Sequence, residues 1–96
     1  MNINDKVIVR CRDAGVWFGE YQGHNGREVK VANGRRMWYW KPAAGMSLSG
    51  CAISGVHNDS KIAGPVSEVT LLEACEIMLC SQEGGNSIAN ATIWNK

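Results

Sequence analysis

Apolar and polar positions alternate in short runs through the first forty residues. The runs are Val7-Ile8-Val9-Arg10-Cys11, Val16-Trp17-Phe18-Gly19-Glu20-Tyr21, Glu28-Val29-Lys30-Val31 and Arg35-Arg36-Met37-Trp38-Tyr39-Trp40. β-branched and aromatic residues dominate them, and turn formers separate them: Asp13-Ala14-Gly15, His24-Asn25-Gly26 and Asn33-Gly34. This pattern predicts an antiparallel β-meander over residues 6–41. In the second hairpin, Val29 and Val31 mark one face as core, which sets a parity test for the loop. A three-residue His24-Asn25-Gly26 loop with a bulge at Gly26 pairs Tyr21 with Val29 and Gly19 with Val31. A two-residue loop would set Gln22 and Glu20 against the valines, so the bulged loop is expected.

The turn at Asn33-Gly34 decides which half of the arginine/tryptophan run faces the core. A two-residue turn puts Trp38 opposite Val29 and turns Arg36, Trp38 and Trp40 inward. A three-residue loop that includes Ala32 puts Met37 there and turns the same three residues outward. At most half of the run can therefore form one site, and the outward set is expected to be Arg36, Trp38 and Trp40.

Beyond Lys41-Pro42, a small-residue stretch with Ser47 as N-cap and Gly55 as stop predicts a short helix over about 47–54. Residues 57–65 read as a polar surface loop. The C-terminal region, 66–94, is ambiguous at its start. Leu71, Leu72, Cys75 and Leu79 fit a helix, whereas Val69/Leu71 and Cys75/Ile77/Leu79 alternate as in strands. Strands broken near Glu73-Ala74 are expected. Gly84-Gly85-Asn86 reads as a turn before a terminal helix around Ser87 to Ala91, with Ile93 and Trp94 packing back. The whole describes a β-rich α+β fold: a small antiparallel meander or half-open barrel, SH3-like or Sm-like, with one or two short helices.

Composition narrows the function classes. With 96 residues, 45% hydrophobic and 20% charged, the chain suits one globular domain spanning 1–96. A net charge of +1 argues against a protein whose whole surface serves nucleic acid. No apolar run approaches the roughly 18 residues needed to cross a bilayer, and no basic leader precedes an apolar stretch, so a cytosolic location with no membrane partner is expected. Cys11, Cys51, Cys75 and Cys80 form no C-x-x-C pair and have only His24 and His57 beside them. Buried free thiols are expected, with no metal and no cofactor.

The leading candidate site is Arg36, Trp38 and Trp40, because a guanidinium binds phosphate through paired bonds while indoles stack on bases. The plainer reading makes the tryptophans core or interface and the arginines solvated or salt-bridged. Arg10, Arg12 and Lys41 could extend a basic rim, although exposed cations are commonly only solvated. Ser47 and Ser49 could offer hydroxyls and backbone N–H groups to an anion at the helix start, with Gly45 permitting close approach, but capping alone also explains Ser47. No Ser, Cys or acid lies at triad spacing from a histidine, so no catalytic residues and no enzyme are expected; His57-Asp59 and His57-Cys51 are the conceivable pairings.

Asn33-Gly34-Arg35-Arg36-Met37-Trp38-Tyr39-Trp40, followed by Ala43-Ala44, Ser47-Leu48 and Gly55-Val56, resembles a family of short proteins encoded by tailed phages and prophages, in which the centre reads N-A-R-R-I-W-Y-W. Val7 to Arg10, Ala14-Gly15-Val16, Pro65-Val66 and Glu76-Ile77 fit the same pattern. Gly34 and Met37 depart mildly from it. The resemblance implies a phage accessory protein acting in the cytoplasm of the infected bacterium. The expected function is non-enzymatic counter-defence: a homo-oligomer that sequesters a small anionic nucleotide-like signal. The alternatives are a module docking on a host or phage protein through its aromatic surface, and a binder of single-stranded nucleic acid, against which the charge balance weighs.

Overall fold

The computed structural model describes residues 1–94. Six strands and two helices follow in the order β1 (Lys6–Cys11), β2 (Val16–Asn25), β3 (Glu28–Tyr39), α1 (Leu48–Ser54), β4 (Lys61–Ile62), β5 (Val66–Leu71), β6 (Ala74–Leu79) and α2 (Gln82–Ala89). The strands form one antiparallel sheet in the order β4-β3-β2-β1-β6, with β5 also pairing to β3. The sheet does not close, and the fold is a small β-rich α+β arrangement. No described helix is long and apolar enough to cross a membrane.

The sheet is buried on both faces, and this explains the uninterrupted Val7-Ile8-Val9 at its centre. Val7 and Val9 join Trp17, Tyr21, Val29, Val31 and Leu71 in one core cluster. Ile8 joins Phe18, Met37, Cys51, Ala52, Ile62 and Ile88 in a second, beneath the helices. All three β1 residues are fully buried, and each contributes about 1.5–3 kcal/mol of apolar burial.

Asn33-Gly34 is not a turn. It is a bulge inside a β3 of 12 residues, where the register changes between Phe18↔Arg35 and Glu20↔Ala32. Asn33 takes a left-handed φ of 51°, the conformation that asparagine tolerates. The bulge also reverses side-chain parity. Arg35 and Met37 consequently face the helices, whereas Arg36 lies opposite Trp17 on the face of the first cluster. Neither anticipated hairpin geometry applies, because a strand can carry Asn-Gly without reversing direction.

The β2–β3 turn is likewise shifted. Asn25 pairs with Glu28, His24 with Val29 and Tyr21 with Val31, so the reversal falls at Gly26-Arg27 and a bulge at Gln22-Gly23 restores apolar pairing. A loop with its bulge at Gly26 is therefore replaced by a tighter turn with the bulge displaced into β2.

The short helix stands where its punctuation predicts, with Ser47 at the N-cap and Gly55 at the C-cap. Residues 66–79 form two strands, broken at Leu72-Glu73 where Glu73 has a φ of 57°. Two expectations fail. The loop at 57–65 contains β4, which pairs with Met37 and Tyr39 and buries Ile62 completely. Gly84 and Gly85 are helical rather than a turn: α2 starts at Gln82, and the Ser81 hydroxyl accepts the Gly84 N–H at 2.9 Å.

The thiols divide by burial. Cys11 and Cys51 are buried, Cys80 is half-buried and Cys75 is exposed, so interior placement does not extend to all four. Burial pushes the Cys51 thiol up to about 11 and the Cys80 thiol up to about 12. Alkylation of the folded protein should therefore label Cys75 first and reach Cys51 and Cys80 only on unfolding. Unfolded thiols ionise near 9.0, so above that pH the unfolded chain loses protons that the folded chain keeps. Stability should fall as pH rises from 9 towards 11–12, which urea midpoints across that range will measure.

Candidate functional site

The β1–β2 turn, the start of β2, the end of β3, β4 and the C-terminal segment together build a ladder of rings and cations. Its anchor is the Ala14 carbonyl, in the turn shaped by Gly15 at φ 84°. That oxygen accepts the Trp17 indole N–H at 3.0 Å and an Arg36 N–H at 2.8 Å. The Arg36 guanidinium carbon then lies 4.5 Å from the centre of the Trp17 ring and 5.5 Å from that of Trp38. Trp38 meets Trp94 edge to face, with centroids 5.8 Å apart and an interplanar angle of 63°. The Lys61 ammonium caps the series 5.4 Å from the Trp94 ring. Each cation–ring contact at an exposed position is worth about 0.5–1 kcal/mol.

Burial falls along the ladder. Trp17 is buried at its base, whereas Trp38 is 59% exposed. Arg36 engages one hydrogen-bond acceptor among the described residues, which leaves the rest of its donor fork for another partner. A shallow cleft runs alongside, lined by Asp13, Ala14, Gly15, Val16, Arg36, Met37 and Trp38.

Arg35, beside Arg36, does something quite different. Only 4% exposed, it donates to four backbone carbonyls: Ala63 at 2.7 Å, Ile88 at 2.8 Å, Ala89 at 3.2 Å and Ile62 at 3.3 Å. Two of these belong to the C-terminal end of α2, where the helix dipole favours a cation. Burial lowers the Arg35 pKa from its ordinary value, and among the described residues no carboxylate offsets it. Arg35 thus joins α2 to the β4 segment; it is shielded from solvent and, among the described residues, makes no salt bridge.

The other anticipated residues are dispersed. Trp40 leaves the Trp38 face because β3 has a second irregularity between Met37 and Tyr39; it packs half-buried on the helix-side cluster. Arg10 lies on the Ile8 side of β1 and pairs with Glu76 at 3.1 Å. Arg12 is exposed, its backbone tied to Glu73. Lys41 is held by backbone contacts with Ser60 and His57. Gly45, Ser47 and Ser49 gather around the start of α1, where Ser47 makes no capping bond and Ser49 contacts the Met78 sulfur at 3.9 Å. Arg36 does not reach them, since its partners are Ala14 and the two indoles. Of the conceivable catalytic pairings, His57 and Asp59 are exposed neighbours at 3.5 Å, while the Cys51 thiol is buried.

Trp17, Lys61 and Trp94 were not among the anticipated site residues. They lie on three separate segments, and only the fold brings them to Arg36 and Trp38. The one available signal was the tendency of Trp94 to pack back on the sheet; its backbone N–H donates to the Ile62 carbonyl at 2.9 Å.

A family model described as Domain of unknown function (DUF6948) matches residues 4–88. No curated protein and no solved structure matches the chain.

Proposed function

The chain belongs to the DUF6948 family, and we propose that it is a non-enzymatic binding protein whose ladder takes a small anionic, nucleotide-like ligand. One observation carries the reading: Arg36 is held between two indoles with donors to spare, next to the open surface of Trp38. A guanidinium fixed in orientation meets a phosphate with little further loss of freedom, and an exposed indole offers a face to a base. Asp13 lines the turn side of the cleft and would repel an anion there. This favours a phosphate towards Trp38 and Lys61 in the proposed complex.

In this reading the protein is a phage accessory factor in the cytoplasm of the infected bacterium. It sequesters a nucleotide signal of host defence as a homo-oligomer, in which a second copy would cover the ligand that this shallow cleft leaves open. The phage setting rests on the Asn33 to Trp40 resemblance.

A thermal-shift screen against cyclic dinucleotides, cyclic oligonucleotides and ADP-ribose derivatives tests it, alongside sedimentation for oligomeric state. At a hundredfold excess over Kd, a true ligand should raise Tm by more than about 10 °C. Trp38→Ala, a change at an exposed position, should remove that shift while leaving the unliganded Tm within a few degrees. If no nucleotide acts and a host protein co-purifies, the protein-docking reading replaces this one. Its specific support is that Trp38, Tyr39 and Ile93 are each exposed. Binding to generic oligonucleotides that weakens steeply with salt would instead favour the single-strand reading.

A further inference from the structure

The strongest feature outside the ladder is a cleft of about 200 Å³ between the segment before β4 and the end of α2. His57, Asn58 and Ser60 form one wall and Asn90 and Thr92 the other, with Val56, Ser87 and Ala91 completing the lining; the Ser87 hydroxyl accepts the Val56 N–H at 3.0 Å. Its lining contains no Lys, Arg, Asp or Glu, so the hydrogen-bonding groups it presents are amides, hydroxyls and one imidazole. Among the described residues, the Asn58, Asn90 and Thr92 side chains have no hydrogen-bond partner, and each is exposed. His57 Nδ1 accepts the Asp59 backbone N–H at 3.2 Å. The same nitrogen lies 3.5 Å from the Asp59 carboxylate, and Nε2 has no partner among the described residues, which leaves it open to a ligand.

Paired amides, hydroxyls and an imidazole supply donors and acceptors side by side, which is what adjacent hydroxyls on a ring require. The cleft shares both of its backbone segments with the ladder. Ser60 precedes Lys61, and Thr92 stands two residues before Trp94.

We propose that this neutral cleft is a subsite for the hydroxylated sugar of the ligand, reading the ribose while the ladder takes base and phosphate. The assignment rests on the nucleotide reading for its link to the ladder, but the sugar site can be tested separately.

Calorimetric titration with adenosine and guanosine monophosphates, their 2′-deoxy forms and ribose 5-phosphate separates the two ideas. The ribonucleotide should bind about tenfold tighter than its deoxy form, the loss expected when a hydroxyl partner is left unmade. Asn58→Ala combined with Asn90→Ala should erase that difference, and both changes are at exposed positions. Trp38→Ala should weaken both nucleotides alike and keep their ratio. Equal affinity for the ribo and deoxy forms, unchanged by the asparagine substitutions, overturns the sugar subsite and leaves the nucleotide reading standing. If ribose 5-phosphate binds in an Asn58- and Asn90-dependent way while neither nucleotide binds more tightly, the nucleotide reading falls and the sugar site remains. Absence of binding by all of these probes overturns both.

Discussion

Arg35→Met should lower folding stability by about 3–5 kcal/mol, because it removes a buried cation whose donors satisfy carbonyls on two elements. Methionine fills much of the same space and isolates the loss of hydrogen bonding from that of packing. The four carbonyls are not equally dependent. Ile62 also accepts the Trp94 backbone N–H and Ile88 also accepts the Ala91 backbone N–H, whereas Ala63 relies on Arg35 at the shortest distance of the four. A domain of this size is stable by about 5–15 kcal/mol in total, so the variant should be partly unfolded at modest urea concentration. Arg35→Lys should recover only part of the loss, since three donors on one nitrogen cannot span the planar fork's reach. Urea midpoints of both variants provide the check. A loss below about 1 kcal/mol for Arg35→Met, the scale of a single ordinary hydrogen bond, would contradict the clamp.

Gly84→Ala should destabilise by about 2–4 kcal/mol, reversing the sign of helix propensity, which favours alanine by about 1 kcal/mol. A Cβ at Gly84 would collide with the Ala52 carbonyl oxygen and stand 2.7 Å from its carbon and 2.9 Å from the Cys51 oxygen. Those atoms are α1 backbone and cannot rotate aside. At Gly85 the nearest atoms are the Lys6 Cδ at 2.9 Å, which can rotate aside, and the Lys6 Cβ at 3.1 Å, which need give only a few tenths of an ångström. Gly85→Ala should therefore be milder than Gly84→Ala, and the contrast between the two variants in one denaturation series tests whether α1 and α2 pack backbone to backbone.

The sequence made parts of this fold legible where one local signal had one meaning. Asp13-Ala14-Gly15 closes the first hairpin, Ser47 and Gly55 bound α1, and the break at Glu73 separates β5 from β6. It misled where a signal serves two physical ends. Asn-Gly favours turns because it accepts positive φ, yet a bulge needs the same φ, and Asn33 uses it to reverse parity. A glycine pair resembles a flexible turn, yet Gly84 and Gly85 lie inside a helix because of what packs against them. β4 is two residues long, too short to show any period.

The candidate site was legible in kind rather than in membership. Splitting the arginine/tryptophan run between two faces was correct in principle. The assumption that one face is solvent was not, because the sheet is covered on both sides. Arg36 and Trp38 do meet, Trp40 is diverted by the second irregularity of β3, and the remaining rungs come from positions 17, 61 and 94. Such long-range convergence leaves no trace in local spacing.

The most direct test of the ladder as a ligand site uses the indole N–H resonances of the four tryptophans. Titration with whichever nucleotide gives the largest thermal shift should move the Trp38 and Trp94 signals together. Trp40, packed on the helix-side cluster, should stay in place, and Trp17, held by the Ala14 carbonyl, should move little. Saturable binding that leaves Trp38 and Trp94 unmoved, or that shifts Trp40 instead, would contradict the account.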